Sequence, residues 1–272
     1  MVDVFREVRR VLRADGTLWL NLGDSYAGSW GAQGRTGQMS DRSVISARQI
    51  SEHPQFNSRT GTRIGDGALK PKDLVGIPWR VAFALQADGW WLRSDIIWHK
   101  PNPMPESVTD RPTKSHEHLF LLAKSERYYY DAAAIAEQSE YGGQQLGIVR
   151  GRKVRAEAMG RSPSGNEVPG ADAMSPDRRN RRDVWSIPTT PFPGAHFATF
   201  PPELIKPCIL AGSPEGGVVL DPFLGSGTTA MVAKSLGRRA VGIDLNAEYL
   251  EMAKRRCAQM ALELAPTDEG AA

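Results

Sequence analysis

The spacing of hydrophobic positions divides the first half of the chain into alternating helices and strands. Apolar residues recur every three or four positions from Val4 to Leu12 and predict a helix that ends at the turn Asp15-Gly16. The segment 17–22, which is rich in leucine and contains Trp19, predicts a buried strand. Further on, the pattern predicts a helix over 74–85 with Pro78 in its first turn, strands over 90–98 and 118–123, and a hairpin continuation over 127–130.

The last third of the chain has the clearest pattern and indicates the fold class. It alternates helix and strand, with helices over 202–210, 230–236 and 249–264 and strands over 217–221 and 240–244. A strand, a helix and a second strand in close succession form a βαβ unit, which requires a parallel sheet. The sequence therefore predicts an α/β fold of three layers, with helices on both faces of a Rossmann-like sheet.

Two segments have no hydrophobic periodicity. We interpret 27–70 as a long loop at the carboxyl end of a strand and 136–183 as an irregular insertion. The net charge is only +3, but basic residues concentrate in the second segment. Such a field suits phosphate contacts and suits a solvated loop equally well. The basic residues are Arg150, Arg152, Lys153, Arg155, Arg161, Arg178, Arg179, Arg181 and Arg182.

The composition excludes several classes of protein. The chain has no run of about 18 apolar residues, the length that a membrane span needs. The first ten residues lack the apolar core of a secretory signal. Cys208 and Cys257 show neither metal-ligand spacing nor a disulfide framework. These features favour a cytoplasmic protein with no membrane partner and no metal, built as one domain with an insertion or as two small domains.

A candidate nucleotide site lies in the βαβ unit. Gly225 and Gly227 follow a predicted strand and open a helix, where small residues let the backbone turn sharply and approach a ligand closely. Asp244 ends the next strand, the place where a carboxylate binds the ribose hydroxyls of an adenosine ligand. The turn lacks a third glycine and a phosphate-binding lysine. S-adenosylmethionine, an adenosine compound without phosphates, fits this pattern.

The nine residues 221–229, D-P-F-L-G-S-G-T-T, resemble the cofactor motif of the site-specific DNA methyltransferases that modify N6 of adenine or N4 of cytosine. Further segments are also similar to that family: 98–105, 111–113, 116–117, 119–130, 196–204 and 242–244. The resemblance implies S-adenosyl-L-methionine as cofactor. It implies a cofactor site made of Phe200, Asp221, Pro222, Phe223, Gly225, Ser226, Gly227, Thr228 and Asp244.

The order of these motifs resembles that of the circularly permuted group, whose catalytic half precedes the cofactor half. Its catalytic tetrapeptide, Asp/Asn/Ser-Pro-Pro-aromatic, comes before a helix like 4–12, and no such tetrapeptide occurs in this sequence. Pro201-Pro202 is followed by Glu203 and does not match. We therefore expect a chain that lacks its N-terminal catalytic segment. Weak substitutes are Asp24, Ser25 and Tyr26, at the end of a predicted strand.

Three interpretations of function remain open at this point. The first is a DNA methyltransferase, truncated or complemented by a separate N-terminal half. The second is an inactive DNA- or cofactor-binding remnant. The third is a methyltransferase acting on RNA, a small molecule or a protein, which the match over 221–229 disfavours. The partners expected of the first are double-stranded DNA and a restriction endonuclease.

The resemblance also divides the chain into parts. Residues 1–135 form the catalytic-side half, 136–183 the target-recognition insertion, 184–265 the cofactor half and 266–272 a disordered tail; 27–70 is an alternative recognition segment. The expected DNA contacts are basic side chains on phosphates and base edges. They are Lys100, Arg178, Arg179, Arg181 and Arg182.

Overall fold

The structure, a computed structural model, describes residues 1–27, 69–70, 72–139, 178–190 and 200–263. In this part of the chain the helices are α1 (Val2–Val11), α2 (Ile77–Ala87), α3 (Pro202–Gly212), α4 (Thr228–Ser235) and α5 (Ala247–Glu263). The strands are β1 (Thr17–Leu22), β2 (Trp91–His99), β3 (His116–Ala123), β4 (Glu137–Gln138), β5 (Arg178–Arg179), β6 (Val184–Ser186), β7 (Val218–Asp221) and β8 (Arg239–Gly242).

The larger sheet has four strands in the order β1-β3-β2-β6. β3 runs antiparallel to both of its neighbours, so β1 and β2 point the same way, and β6 is parallel to β2. The carboxyl ends of β1, β2 and β6 therefore lie at one edge of the sheet. The loops that follow β1 and β2 meet at this edge.

Helices cover both faces of this sheet. On one face, Phe120 and Leu122 of β3 pack with Phe5 of α1 and Leu85 of α2, all of them fully buried. On the other face, Leu119 of β3 joins a second cluster formed by β2, β6 and α3. The alternation along β3 fits a strand whose two sides are both covered by apolar groups. The predicted three-layer arrangement is thus present here.

β7 and β8 form a separate parallel pair joined through α4. Val219 of β7 and Ala240 of β8 pack with Val232 of α4 and with Ile209 of α3. Helix α3 therefore contacts both sheets, since its Leu204 and Cys208 belong to the second cluster of the larger sheet. This βαβ unit confirms the predicted parallel sheet.

A gap separates the two sheets. Among the described residues, neither β1 nor β7 has a hydrogen-bonded strand on the edge that faces away from its sheet partner. The two strands nevertheless contribute to the same core: Leu20 of β1 and Leu220 of β7 both pack in the cluster around α1. Apolar side chains of the parallel pair stay exposed: Val218 of β7 is 53% exposed and Val241 of β8 is 51% exposed. Parallel strands are normally buried on both faces.

Apart from smaller shifts at the ends of other elements, three differences between the predicted and observed elements stand out in the first two thirds of the chain. Helix α2 begins at Ile77 rather than at 74, because Gly76 has a φ of +73° and ends the preceding segment. The expected hairpin over 127–130 is wrong: Tyr129 N–H donates to the carbonyl of Asp15, and Tyr130 stacks on Trp19. The short strand β6 was not predicted, since three residues carry no periodic signal.

The irregular insertion is paired at its two ends. β4 and β5 form an antiparallel pair with Glu137 opposite Arg179, so the boundaries at 136 and 183 enclose a short two-stranded sheet. The rest of the insertion, 140–177, and most of the loop 27–70 lie outside the described residues. In the part of the chain that is described, no helix is both long and apolar enough to cross a membrane.

Candidate functional site

The turn between β7 and α4 is built around two glycines with positive φ angles. Gly225 has a φ of +51° and Gly227 a φ of +82°, a region that residues with a side chain rarely adopt. Gly227 also lies directly under α5, since a Cβ atom there would be only 2.6 Å from the Cβ of Ala253. The absence of a Cβ atom at Gly227 therefore permits both the positive φ of the turn and the close approach of α5.

Two carboxylates order the backbone on either side of this turn. Asp244 accepts hydrogen bonds from the N–H of Gly225 at 2.8 Å and from the N–H of Asn246 at 2.8 Å, one on each oxygen. Asp221 accepts one from the N–H of Phe223 at 2.9 Å. The turn is thereby tied to the carboxyl ends of both β7 and β8, which is where α/β folds bind their ligands.

The hydroxyl-bearing residues of the turn face inward. Ser226 is 3% exposed and Thr228 is 5% exposed, and the guanidinium of Arg256 on α5 lies against both. Sequence reasoning missed Arg256, which lies 28 to 30 positions away among other basic residues of a helix. Only the packing of α5 on the turn brings this residue into the site.

The remaining predicted cofactor residues lie in two different parts of the structure. Pro222 is half-buried and Phe223 is 55% exposed, with its ring 6.2 Å from that of Phe5 in an edge-on arrangement. Phe200 packs instead against the second cluster, beneath β2 and β6. The structure thus brings 221–228 and Asp244 together, whereas Phe200 belongs to the packing of the larger sheet. The neighbouring positions 196–199 lie outside the described residues.

Asp24, a weak catalytic candidate, has a structural role at the end of β1. Its carboxylate accepts hydrogen bonds from the N–H groups of Gly76 at 3.1 Å and Ile77 at 3.0 Å, the first residues of α2. A carboxylate stabilises a helix N-terminus because it pairs with free N–H groups and with the positive end of the helix dipole. The Asp24 carbonyl accepts a hydrogen bond from the Lys114 ammonium at 2.7 Å, and burial lowers the pKa of Lys114.

The other two candidates also organise loops. The guanidinium of Arg111 lies 3.9 Å from the centre of the Tyr26 ring and bonds Glu106 at 2.6 Å, which lowers the pKa of that carboxyl. Ser25 is exposed, and its carbonyl accepts a hydrogen bond from the N–H of Val75. Asp24, Ser25 and Tyr26 therefore connect the end of β1 to the loops around it, and their catalytic assignment stays a prediction.

The predicted DNA-binding residues have partners within the chain. Lys100 pairs with Glu117 and lies over the Trp98 ring. Arg179 and Arg182 both bond Glu137, at 2.9 and 2.6 Å. Arg178 donates to the Ala136 carbonyl, and Arg181 stacks on Trp185. These arginines fix the base of the insertion. Arg182, whose side chain is 63% exposed, is the most open of those in ion pairs.

Replacing Asp24 separates its capping role from a catalytic one. We expect Asp24→Ala to lower the free energy of unfolding by about 1 kcal/mol, the usual cost of losing a helix cap. Asp24→Asn keeps an oxygen acceptor and is expected to lose less. Urea unfolding followed by circular dichroism measures both variants. Equal stability of Asp24→Ala and the unchanged chain would contradict the capping role.

A second pair of variants tests the close approach at the glycine turn. Gly227→Ala should destabilise the fold more than Gly216→Ala, although both glycines have positive φ angles. A methyl group at Gly227 would collide with α5, whereas nothing lies within 4 Å of a Cβ atom at Gly216. Left-handed strain alone costs about 1–2 kcal/mol and is common to both. The difference between their urea unfolding energies isolates the collision, and equal losses would exclude it.

Comparison with known proteins identifies the family. The sequence profile of the DNA methylase family matches residues 1–255. Among similar proteins, the Type II methyltransferase M.SmaI of Serratia marcescens is 48% identical over 256 residues, which cover 94% of this chain and 72% of that protein. The Type II methyltransferase M.SfiI of Streptomyces fimbriatus is 31% identical, and the match covers 92% of this chain and 76% of that protein.

Solved structures share the fold at lower identity. The cytosine-N4-specific PvuII DNA methyltransferase matches with a TM-score of 0.52 and 18% identity, covering 94% of this chain and 70% of that one. A DNA modification methylase of Thermus thermophilus, complexed with S-adenosyl-L-methionine, matches with a TM-score of 0.50 and 20% identity over 95% and 75% of the two chains. With the family profile and these relatives, the chain belongs to the DNA methylase family of N6-adenine and N4-cytosine methyltransferases.

Proposed function

We propose that this chain binds S-adenosyl-L-methionine at the turn between β7 and α4 and methylates an exocyclic amino nitrogen, N6 of adenine or N4 of cytosine, in double-stranded DNA. One observation carries the proposal: the family's cofactor motif at 221–229 is unbroken and folds as a turn whose backbone is tied to Asp244. When bound, S-adenosylmethionine supplies an electrophilic methyl group on a sulfonium centre.

The residues of the turn fit an adenosine ligand. A carboxylate has about four lone pairs, and the two hydrogen bonds to Asp244 leave the others open to a pair of ribose hydroxyls. The exposed ring of Phe223 offers an apolar surface beside the turn. No lysine lies within 221–229 to hold a phosphate. Asp244 would therefore bind the ribose, while the glycines let the backbone approach the ligand.

On the DNA side, the chain would contact phosphates through the base of its insertion. Arg182 uses its Nε atom for Glu137, and its side chain, 63% exposed, could turn its terminal nitrogens toward a phosphate. Arg178 lies on β5, four residues before Arg182 in the chain. A target base has to leave the helical stack before its amino group can reach a methyl donor. The carboxyl edge of β1 and β2, adjacent to β7, is where such a base would be held.

The gap between β1 and β7 supports a complementing strand. Both edges are unpaired among the described residues, and both strands pack on the cluster around α1. A strand in the gap would pair with both edges and join the two sheets. We propose that it carries the catalytic tetrapeptide, whose oxygen acceptors would hold the amino group of the base.

The names of the relatives support a role in restriction and modification. M.SmaI and M.SfiI are both named Type II methyltransferases, which supports a role beside a restriction endonuclease that cuts the same site. Its double-stranded DNA substrate supports a cytoplasmic location.

Cofactor binding is the first test. Isothermal titration of the chain with S-adenosylmethionine should give saturable binding that Asp244→Ala weakens about tenfold or more, the loss expected for two charge-assisted hydrogen bonds. Asp3→Ala is the matched control, because that side chain is 93% exposed on α1 and far along the chain from the turn. Absence of binding by the unchanged chain would refute the proposal.

Complementation tests the strand. A synthetic peptide with an apolar strand followed by Asp-Pro-Pro-Tyr should produce methyl transfer from labelled S-adenosylmethionine to mixed-sequence duplex DNA. A control peptide with a proline in the middle of the strand should fail, because proline removes a ladder hydrogen bond. Equal methyl transfer with and without the first peptide would contradict a strand supplied in this way. Loss of that transfer in Asp24→Ala, at a temperature where circular dichroism shows the variant folded, would then assign catalysis to the end of β1.

A further inference from the structure

The guanidinium group of Arg256 contacts the buried residues of the turn between β7 and α4, which we call the cofactor turn. Nη1 of Arg256 donates to the Ser226 carbonyl at 2.7 Å, to the Ser226 hydroxyl at 2.9 Å and to the Thr228 hydroxyl at 3.3 Å. Its other terminal nitrogen contacts the sulfur of Met231 at 3.7 Å. Every one of these partners belongs to the turn or to the first residues of α4, so a single side chain joins α5 to the whole segment.

The bond to the Ser226 carbonyl fixes one peptide plane. That plane also contains the N–H of Gly227, which donates to the Leu224 carbonyl at 2.9 Å. With both of its polar atoms bonded, the Ser226–Gly227 peptide has no freedom to flip, although glycine itself would permit the rotation. Residues at the end of β8 hold two earlier N–H groups of the turn: the Ile243 carbonyl accepts from Leu224 at 2.9 Å and the Asp244 carboxylate from Gly225 at 2.8 Å. The backbone conformation of the turn therefore depends on contacts from the end of β8 and on one side chain from α5.

The packing of α5 explains how this contact is possible. Ala253 lies three residues before Arg256, on the same face of the helix, and touches Gly227. This contact sets the distance between the helix and the turn. Burial lowers the pKa of Arg256, but a guanidinium remains charged at neutral pH. A cation near the N-terminus of α4 is electrostatically unfavourable. Arg256 therefore contributes through the geometry of its hydrogen bonds rather than through its charge.

We propose that Arg256 is a positioning residue for cofactor binding, holding the Ser226–Gly227 peptide in the orientation that accepts S-adenosylmethionine. This inference rests on the proposed function. Arg256 lies behind the turn and acts through Ser226, without touching the reacting atoms. Its loss should therefore weaken cofactor binding and leave the chemical step unchanged.

The test compares S-adenosylmethionine dissociation constants of the full chain by isothermal titration, at a temperature where circular dichroism shows every variant folded. We expect Arg256→Ala to bind about tenfold more weakly or worse, the loss of a charge-assisted hydrogen-bond cluster. Arg256→Lys retains one donor group, and its dissociation constant should lie between those of the unchanged chain and Arg256→Ala. Arg255→Ala, the exposed neighbour on α5, should bind like the unchanged chain. Global destabilisation does not alter the dissociation constant of a fully folded protein.

The outcomes separate this inference from the proposed function. If the unchanged chain binds and Asp244→Ala does not, the site is correct, and binding by Arg256→Ala within about twofold of the unchanged chain would overturn the positioning role. Equal weakening by Arg255→Ala would overturn it too. If Arg256→Ala fails to fold, Arg256→Lys decides: clearly weaker binding supports the role, and unchanged binding refutes it. No binding by the unchanged chain would refute the proposed function itself. Under complementation, the Michaelis constant for the cofactor should rise while kcat stays constant.

Discussion

The packing of α1 across the gap between the two sheets is the contact on which the rest of the structure depends. Phe5, only 1% exposed, belongs to the cluster that also contains Leu20 of the larger sheet and touches Leu220 of the smaller one. Its ring also meets Phe223 of the cofactor turn. Burying apolar surface is not directional, so this cluster holds the two sheets together without any strand hydrogen bond between them among the described residues. Helix α3 provides a second connection on the opposite face.

These helices pack against both sheets, and in each sheet polar groups lie at the carboxyl ends of strands. The turn after β7 and the loops after β1 and β2 carry the polar groups of the site. Ligands in open α/β sheets bind outside the carboxyl ends of strands, where loops diverge. A methyl donor on one side of the gap and a target base on the other would meet there. The strand edges along the gap are consistent with one further strand between them.

Two carboxylates at strand ends accept backbone N–H groups but have different roles. Asp24 accepts the backbone N–H groups of Ser25, Gly76 and Ile77, and Asp244 accepts those of Gly225 and Asn246, all at 2.8 to 3.1 Å. At Asp24 two of these groups lie at the start of α2, so the bonds serve stability. At Asp244 one of them belongs to the glycine turn, so the same kind of bond orders a ligand site. Hydrogen bonds alone do not distinguish the two roles. The neighbouring residues do, since Asp244 adjoins a turn with two glycines and two buried hydroxyls.

The sequence by itself determined the βαβ unit, the glycine turn with Asp244 and the family, because short-range periodicity and an unbroken nine-residue motif contain that information. The hairpin predicted over 127–130 was wrong. The tyrosines there have strand propensity, but Tyr129 bonds Asp15 just before β1 and Tyr130 stacks on Trp19 of β1. The tertiary structure alone decided that Asp24 caps α2 and that Arg256 contacts the turn between β7 and α4. It also decided that Arg179 and Arg182 bond Glu137 and that Arg181 stacks on Trp185. Most of these contacts join residues that are far apart in the chain. Sequence spacing does not specify such contacts, because they depend on how helices and strands pack.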